Sequence, residues 1–508
     1  MTERPAMDLR LVPSAVGAWL ACIVVVASGW MFGVVVAVGC GAGACAALVV
    51  RRRRPQSVVV PIVLAAFAVT AAFAVASSAR MYSVTTGPVR EGAVRGSYAT
   101  VEGVVTDDPR AIVGSFEDQV LVPVRADRVT LRGTIVDGSA RFTVFAPPDG
   151  WAALQPGAPV TFRARLAVPD RVGAVDAIAR ATGPPDAGTP PSILEWSSTV
   201  RSALSGAAAA ALPDEEAGLL PGLVVGDRSA LVPAVEESFA AAGMSHLTAV
   251  SGANFTFLVG TVVVLARLLT VGPRTTALLA GIALVAFVIV ARPSPSVLRA
   301  AVMGVLGLLA VMTGRRRHVM PALCTAVLVL LAVDPGLAVS WGFALSVTAT
   351  AALVVLAPVL AGAMAGPDAS GQGADPDARR RPVLDAVAVA LAAHIVTAPL
   401  VAAMVGTFSL YSVVANVLAA PVVGPVTVVG ALAALVAVVN DSAGAFVAGV
   451  AWLPLRWLVG VAAYTAELPG ASLSTPSGPP GAIMVGAAML IVGAAAALVV
   501  RWRGTIDR

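Results

Sequence analysis

Long apolar stretches dominate the chain, and their length predicts its elements better than any periodicity within them. Residues 14–30, 31–50 and 58–78 are each close to the ~20 apolar residues that a helix needs to cross a hydrocarbon layer of about 30 Å. Comparable stretches lie at 247–269, 276–291, 297–313, 319–333, 338–364, 383–404, 411–438, 443–464 and 482–500, which makes about twelve predicted spans. Within 416–456, Pro421, Pro425, Asn440, Pro454 and Arg456 interrupt the apolar run and predict a broken or re-entrant helix. Irregular backbone survives at membrane depth only where protein covers it or water reaches it.

Between 80 and 196 the pattern changes to short alternating runs separated by Gly and Pro turns, with acidic residues and arginines nearly balanced. Runs at 100–106, 119–124, 128–136, 140–145 and 159–167 predict strands of a small all-β barrel or sandwich. Residues 197–245 are mixed, with an alanine-rich stretch, the Pro213-Asp214-Glu215-Glu216 helix start and a run containing Glu236 and Glu237. Helices lying along the membrane interface are the simplest expectation for them. The order read from the pattern is therefore membrane helices at 1–79, a β domain at 80–196, interfacial helices at 197–245, a helical bundle at 246–501 and a tail at 502–508.

Composition excludes a soluble globular protein: 58% of the residues are hydrophobic, 12% are charged, and the mean hydropathy is +0.87. The net charge of +5 is carried by arginine alone, with no lysine in the chain. Alternating twelve spans puts the arginine runs 51–54, 315–317, 379–381 and the tail 501–508 on one side, the cytoplasmic side by the positive-inside rule. The β domain then lies outside and the Gly- and Asp-rich stretch 366–377 is a cytoplasmic linker. Cys22, Cys40, Cys45 and Cys324 fall in apolar segments without metal or redox spacing and read as small hydrophobes. Residues 11–50 are long enough for a helical hairpin, the expectation here in preference to a cleaved signal.

Polar residues enter the oily sequence most densely at 226–255. Gly226-Asp227-Arg228 is followed by Gly243-Met244-Ser245-His246-Leu247-Thr248-Ala249-Val250-Ser251-Gly252 and Asn254, and these run into an apolar span. Further along come Ser296-Val297-Leu298-Arg299-Ala300, Asp334-Pro335, Trp341-Gly342-Phe343-Ala344-Leu345-Ser346, Thr397-Ala398-Pro399, Phe408-Ser409, and Asn416 with Pro421. Polar and charged groups inside a bilayer are costly and mark wet paths or buried pairs. Arg299 stands out, since a central charge costs at least about 2.5 kcal/mol, and it is expected either to pair with a buried carboxylate or to face a wet path.

This succession of motifs resembles the ComEC/Rec2 competence family, inner-membrane channels for incoming DNA. The resemblance implies a polytopic α-helical protein of the plasma membrane with an inserted, OB-like extracytoplasmic β domain. It further implies single-stranded DNA, bound without sequence preference, as the cargo, with Gly226, Asp227, Arg228, Ser245, His246, Ser251, Gly252, Asn254, Arg299, Phe343, Ser346 and Asn416 along the family motifs or the DNA path. An extracytoplasmic DNA receptor, a cytoplasmic helicase or translocase and a separate nuclease are the implied protein partners, and membrane lipids surround the helices. Where many members carry a histidine after Ser-Gly, this chain has Asn254.

Many members also continue into a metallo-β-lactamase-like domain, whereas the sequence ends at Arg508 and holds three histidines, His246, His318 and His394. No clustered metal-ligand motif of that type can be assembled from them, so neither a cofactor nor a catalytic residue is expected, and conduction is the expected chemistry. In the β domain Tyr98, Phe116, Phe142, Phe145 and Trp151 are the candidates for stacking bases, less those needed for its core. Two rival readings remain open at this stage. A solute transporter would use a broken helix near Asn416, and an intramembrane serine protease would use Ser251 with His394, on another span, as its base. His246 lies about 140° around a helix from Ser251, a poor position for that role.

Overall fold

The computed structural model describes residues 8–112, 118–169, 175–248, 250–313, 319–365 and 381–506. Its contacts divide the chain into two units, residues 1–199 with 324–340, and residues 200–323 with 341–508.

The first unit begins with α1 (Val12–Ser28), α2 (Trp30–Arg53) and α3 (Val59–Thr86), followed by the short α4 (Pro88–Val94). Gly29, with φ of 96°, separates the two helices of the hairpin expected from the sequence. The β domain contains β1 (Tyr98–Val105), β2 (Arg110–Ile112), β3 (Gln119–Leu131), β4 (Thr134–Ala146), β5 (Pro159–Ala167), β6 (Ala177–Ala181) and β7 (Asp186–Ala187). Its strands close on themselves in the order β1-β3-β4-β6-β5 and back to β1, with β2 and β7 attached at the margins. Every pairing is antiparallel except β4 with β6. Closure follows from strict alternation: β5 reads exposed-buried throughout, and Val160, Phe162, Ala164 and Leu166 point inward to meet Val122, Val124, Phe142 and Val144.

One stretch read from the sequence as a single strand, 128–136, is the end of β3, a turn and the start of β4. Arg132 and Gly133 adopt φ of 50° and 86°, the left-handed pair that a two-residue hairpin turn requires. Phe142 and Trp151 are consumed by the barrel core. Trp151 donates its indole N–H to Gly183 O at 2.9 Å and packs edge-on against Phe162. Of the stacking candidates, Tyr98 is exposed and Phe145 half-buried, while Phe116 lies outside the described residues.

The remaining helices are α5 (Ser192–Ala211), α6 (Asp214–Val225), α7 (Pro233–Ala241), α8 (Gly252–Leu268), α9 (Pro273–Ala291), α10 (Pro295–Met312), α11 (Val319–Val333), α12 (Trp341–Val355) and α13 (Ala357–Ala365). They continue with α14 (Arg381–Val405), α15 (Ser412–Ala437), α16 (Asp441–Val450), α17 (Trp452–Glu467) and α18 (Pro479–Ile506). A two-stranded ribbon pairs β8 (Thr407–Ser409) with β9 (Ser472–Ser474).

Among the described residues six helices, counting α12 and α13 together, are long and apolar enough to cross a membrane, and α16 with α17 make a seventh if that bent pair is one span. This is fewer than the twelve expected. The other predicted spans are shorter apolar helices, such as α8, whose 17 residues reach about 25 Å against a layer of about 30 Å. The break expected within 416–456 is present, though not at its first prolines. Pro421 and Pro425 lie inside one continuous helix, α15, and the chain instead bends by 51° between α16 and α17. Asn440 starts the first of that pair by accepting the Ala443 amide at 2.8 Å.

The expectation of surface helices fails for α6, where everything from Gly218 to Val225 is buried in the core of the second unit, with Glu216. Its acidic first turn meets a cation: Arg456 of α17, partnerless from the sequence, lies 3.5 Å from the buried Glu216 and 3.6 Å from the exposed Glu215.

Candidate functional site: polar clusters on helix ends

The last carbonyls of a helix have no partner within it, and α6 ends inside the protein, so each needs an outside donor. The motif residues supply them. Gly226 and Asp227 turn back so that their amides donate to Gly222 O and Pro221 O, each at 3.2 Å. Asn254 donates its side-chain N–H to Leu223 O at 2.6 Å, and the Arg201 guanidinium donates to Val225 O. Arg201 also donates to Val290 O at 3.2 Å, so one buried cation serves the negative ends of α6 and α9. Asn254 is 1% exposed and takes the Ser251 hydroxyl on its Oδ1 at 3.1 Å, while that hydroxyl caps α8 by accepting the Asn254 amide.

Asp227 organises the turn that follows. Its Oδ1 accepts the Ser229 hydroxyl at 2.7 Å and the Ser229 amide at 3.1 Å, and its Oδ2 accepts Ser205 at 3.4 Å. Burial pushes its carboxyl up, but the two bonds from Ser229, the Arg201 charge and the Ser205 bond together hold it below the ordinary carboxylate value. A carboxyl depressed on folding stabilises the fold at pH above its unfolded value, near 3.9, and that contribution is lost as pH falls through the lower folded value. The detergent-solubilised protein is therefore expected to lose thermal stability between pH 5 and pH 3, with a flatter profile for Asp227→Asn; equal profiles would refute the role. Arg228 turns outward to an exposed pair with Glu236 at 3.2 Å.

A second cluster does the same for the end of α7. Ser409 donates to Ala241 O at 2.7 Å, and Asn416 donates to Gly243 O at 3.4 Å and to Ser412 O at 2.7 Å. Ser245 and His246 sit exposed in the 3-10 turn Ser245–Leu247, where His246 makes no hydrogen bond among the described residues. His394 lies against Phe408 with ring centroids 5.5 Å apart, and His318 is outside the described residues.

The third cluster surrounds Arg299 on α10, which is 8% exposed. Its Nε donates to Ser346 Oγ of α12 at 2.7 Å, Ser346 meets Ser296 at 3.1 Å, and an outer nitrogen approaches Met303 Sδ at 3.5 Å. A Cβ on Gly252 would lie 3.0 Å from the guanidinium, so the first residue of α8 leaves the space that this head occupies. Among the described residues no carboxylate pairs with Arg299, which removes the buried ion pair from its two expected explanations. Phe343 is fully buried in the same helix as Ser346.

In the first unit Asp334 of the Asp-Pro motif caps the turn Pro335–Val339 and pairs with Arg141 of β4 at 2.6 Å. Beside it, Asp176 accepts the Arg141 amide at 2.5 Å, and burial raises its carboxyl, partly offset by that bond and by the charges of Arg80 and Arg141.

Apart from Arg201, Ser205 and the α6 residues before 223, the clusters of the second unit, and Asp334 with them, fall within residues 223–501, which match the family model described as Competence protein over more than half of the chain. The chain belongs to the ComEC/Rec2 competence family. Membership places it in DNA uptake during competence, and the apolar helices make it a membrane protein. No curated protein and no solved structure matches it. Arg201, ahead of the family match, was missed by sequence reasoning. The available signal was its solitude, as the one charge between Glu195 and Asp214.

Proposed function

We propose that this competence-family chain is a plasma-membrane conduit that passes single-stranded DNA inward, and that its work is conduction without bond-breaking. The observation that carries this reading is Arg299: a guanidinium nearly enclosed by helices, with a serine and a thioether as neighbours and no carboxylate among the described residues. A planar fork of donors suits phosphate oxygens, and a strand with one charge per nucleotide supplies the counter-ion that the protein leaves out. Serines 296 and 346 add dipoles that hold the fork without neutralising it.

The barrel supports the same reading. Numbered within the barrel, its strands close as 1-2-3-5-4-1 with the third and fifth parallel, and this order supports the OB-like reading proposed here. Such barrels hold single strands on charged and aromatic faces, sequence-independently and with strong salt dependence. The shorter apolar helices would complete a twelve-span body with the barrel outside. A receptor that delivers DNA, a cytoplasmic motor and a separate nuclease would surround this chain.

The test is deletion of the gene in its host, with uptake of labelled DNA and transformation as readouts. Both are expected to fall at least a hundredfold and to return on complementation. Unchanged uptake overturns the proposal.

A further inference from the structure

The outer surface of the barrel is divided by charge. Toward one end of β1 and β5, Glu102, Asp127, Asp137 and Asp186 line an open groove of about 580 Å³ together with Arg128. A polyanion is repelled there, because Arg128 is already held by Asp137 at 2.9 Å and Glu102 at 3.5 Å. Elsewhere on the barrel Arg110, Arg125 and Arg141 are likewise matched, by Asp107, Asp127 and Asp334.

The outward row that crosses β1, β5, β6 and β4 is different. Tyr98 is the register partner of Arg165, Arg165 of Arg180, and Arg180 of Phe145. Tyr98, Arg165 and Arg180 are exposed and Phe145 is half-buried, so all four stand on the outside of the closed sheet. Arg163, two residues before Arg165, is exposed on the same face. Directly opposed residues on neighbouring antiparallel strands have Cβ atoms about 5 Å apart, and like charges in that relation destabilise the sheet. Arg165 nevertheless faces Arg180, and among the described residues neither they nor Arg163 has a carboxylate partner. Among the described residues Arg165 makes one side-chain hydrogen bond, from Nε to Gly96 O at 3.3 Å, and the residue is exposed.

We propose that the row Tyr98-Arg165-Arg180-Phe145, with Arg163, is the face on which the barrel holds a single DNA strand, the two aromatic residues taking bases and the three arginines taking phosphates. It deepens the conduit reading and rests on it. The repulsion of Arg165 and Arg180 is relieved when a phosphate lies across them, and the row presents π-faces at either end for bases of any identity. The acidic groove borders the row, since Glu102 and Thr161 lie further along the same outward faces of β1 and β5 as Tyr98 and Arg165, and it bounds the path on that flank.

The test uses the full chain in phosphatidylcholine nanodiscs and a fluorescent oligothymidylate, with anisotropy measured over a salt series. R165Q/R180Q is expected to weaken binding at least tenfold and to reduce the slope of log K against log salt by about 1.4, since each single-strand phosphate contact contributes about 0.7. R165K/R180K keeps the charge and restores most of the slope. Tyr98→Ala weakens binding about tenfold with the slope unchanged, because stacking releases no counter-ions. Arg128→Gln, on the acidic side, leaves binding as it was. Because the glutamine pair removes a repulsion, its melting temperature is expected to equal or exceed the original, so lost binding cannot be blamed on unfolding.

Wild-type protein that binds no strand overturns the conduit reading itself. Wild-type binding that the glutamine pair does not change, as for a face meant for anionic lipid, overturns this inference alone.

Discussion

Arg299→Leu is expected to cut uptake of labelled DNA by tenfold or more while the protein reaches the membrane at near-normal abundance. The two readouts separate because of what Arg299 touches. Removing one half of a buried ion pair strands the other charge and costs roughly 3–5 kcal/mol, but no carboxylate among the described residues depends on Arg299. Ser346 loses one donor and keeps Ser296 at 3.1 Å, so no buried hydroxyl is orphaned. The substitution also removes a charge whose presence in a membrane helix costs about 2.5 kcal/mol or more. Folding is therefore left nearly neutral, and what disappears is an anion-attracting fork. Arg299→Lys should recover part of the uptake, because it keeps the charge and loses the planar geometry. Uptake and abundance that fall in proportion, or uptake that does not change, would remove Arg299 from the path.

Asn254→Leu is expected to do the opposite: membrane abundance and melting temperature fall, and uptake falls only in proportion. Read from the sequence alone, Asn254 is a wall of the path whose replacement leaves abundance intact. The structure gives it another task, because its amide is buried and joins the start of α8 to Leu223 O at the end of α6. A leucine of similar size leaves that carbonyl unmatched in a site that water does not reach, a cost of about 1–3 kcal/mol, and the Ser251 hydroxyl loses its acceptor as well. Asn254→Asp should be no better, since a carboxylate cannot donate to the carbonyl and would repel it. Normal abundance with lost uptake for Asn254→Leu would return this residue to the path and contradict the clamp.

The two residues show where reading the chain works and where it stops. Both were singled out for one reason, polar groups carried into apolar sequence, and that reason is sound for each. Whether such a group is spent on a neighbour or left for a ligand depends on what stands across from it, at a separation of 31 residues for Asn254 and 47 for Arg299. The same holds for the barrel aromatics. Alternation predicted strands, but only closure of the sheet separates Trp151 and Phe142, which fill the interior, from Tyr98, which stays outside.

The sequence by itself determined the class of the protein, because a burden of apolar residues this large can be hidden only in a bilayer. It also determined the place of the β domain, since period-two alternation between turn residues is a local property of the chain. Its family was legible because the motifs are short, contiguous and rich in glycine and polar residues. Only the tertiary structure decided that α6 is buried, that Arg201 and Asn254 share its final turn, and that Arg456 meets its first. Helix ends explain this: their unpaired carbonyls and amides must be matched by whatever element packs against them, and that partner comes from distant sequence. For the same reason the like-charged neighbours Arg165 and Arg180, 15 residues apart in the chain, become a feature only once β5 and β6 are in register.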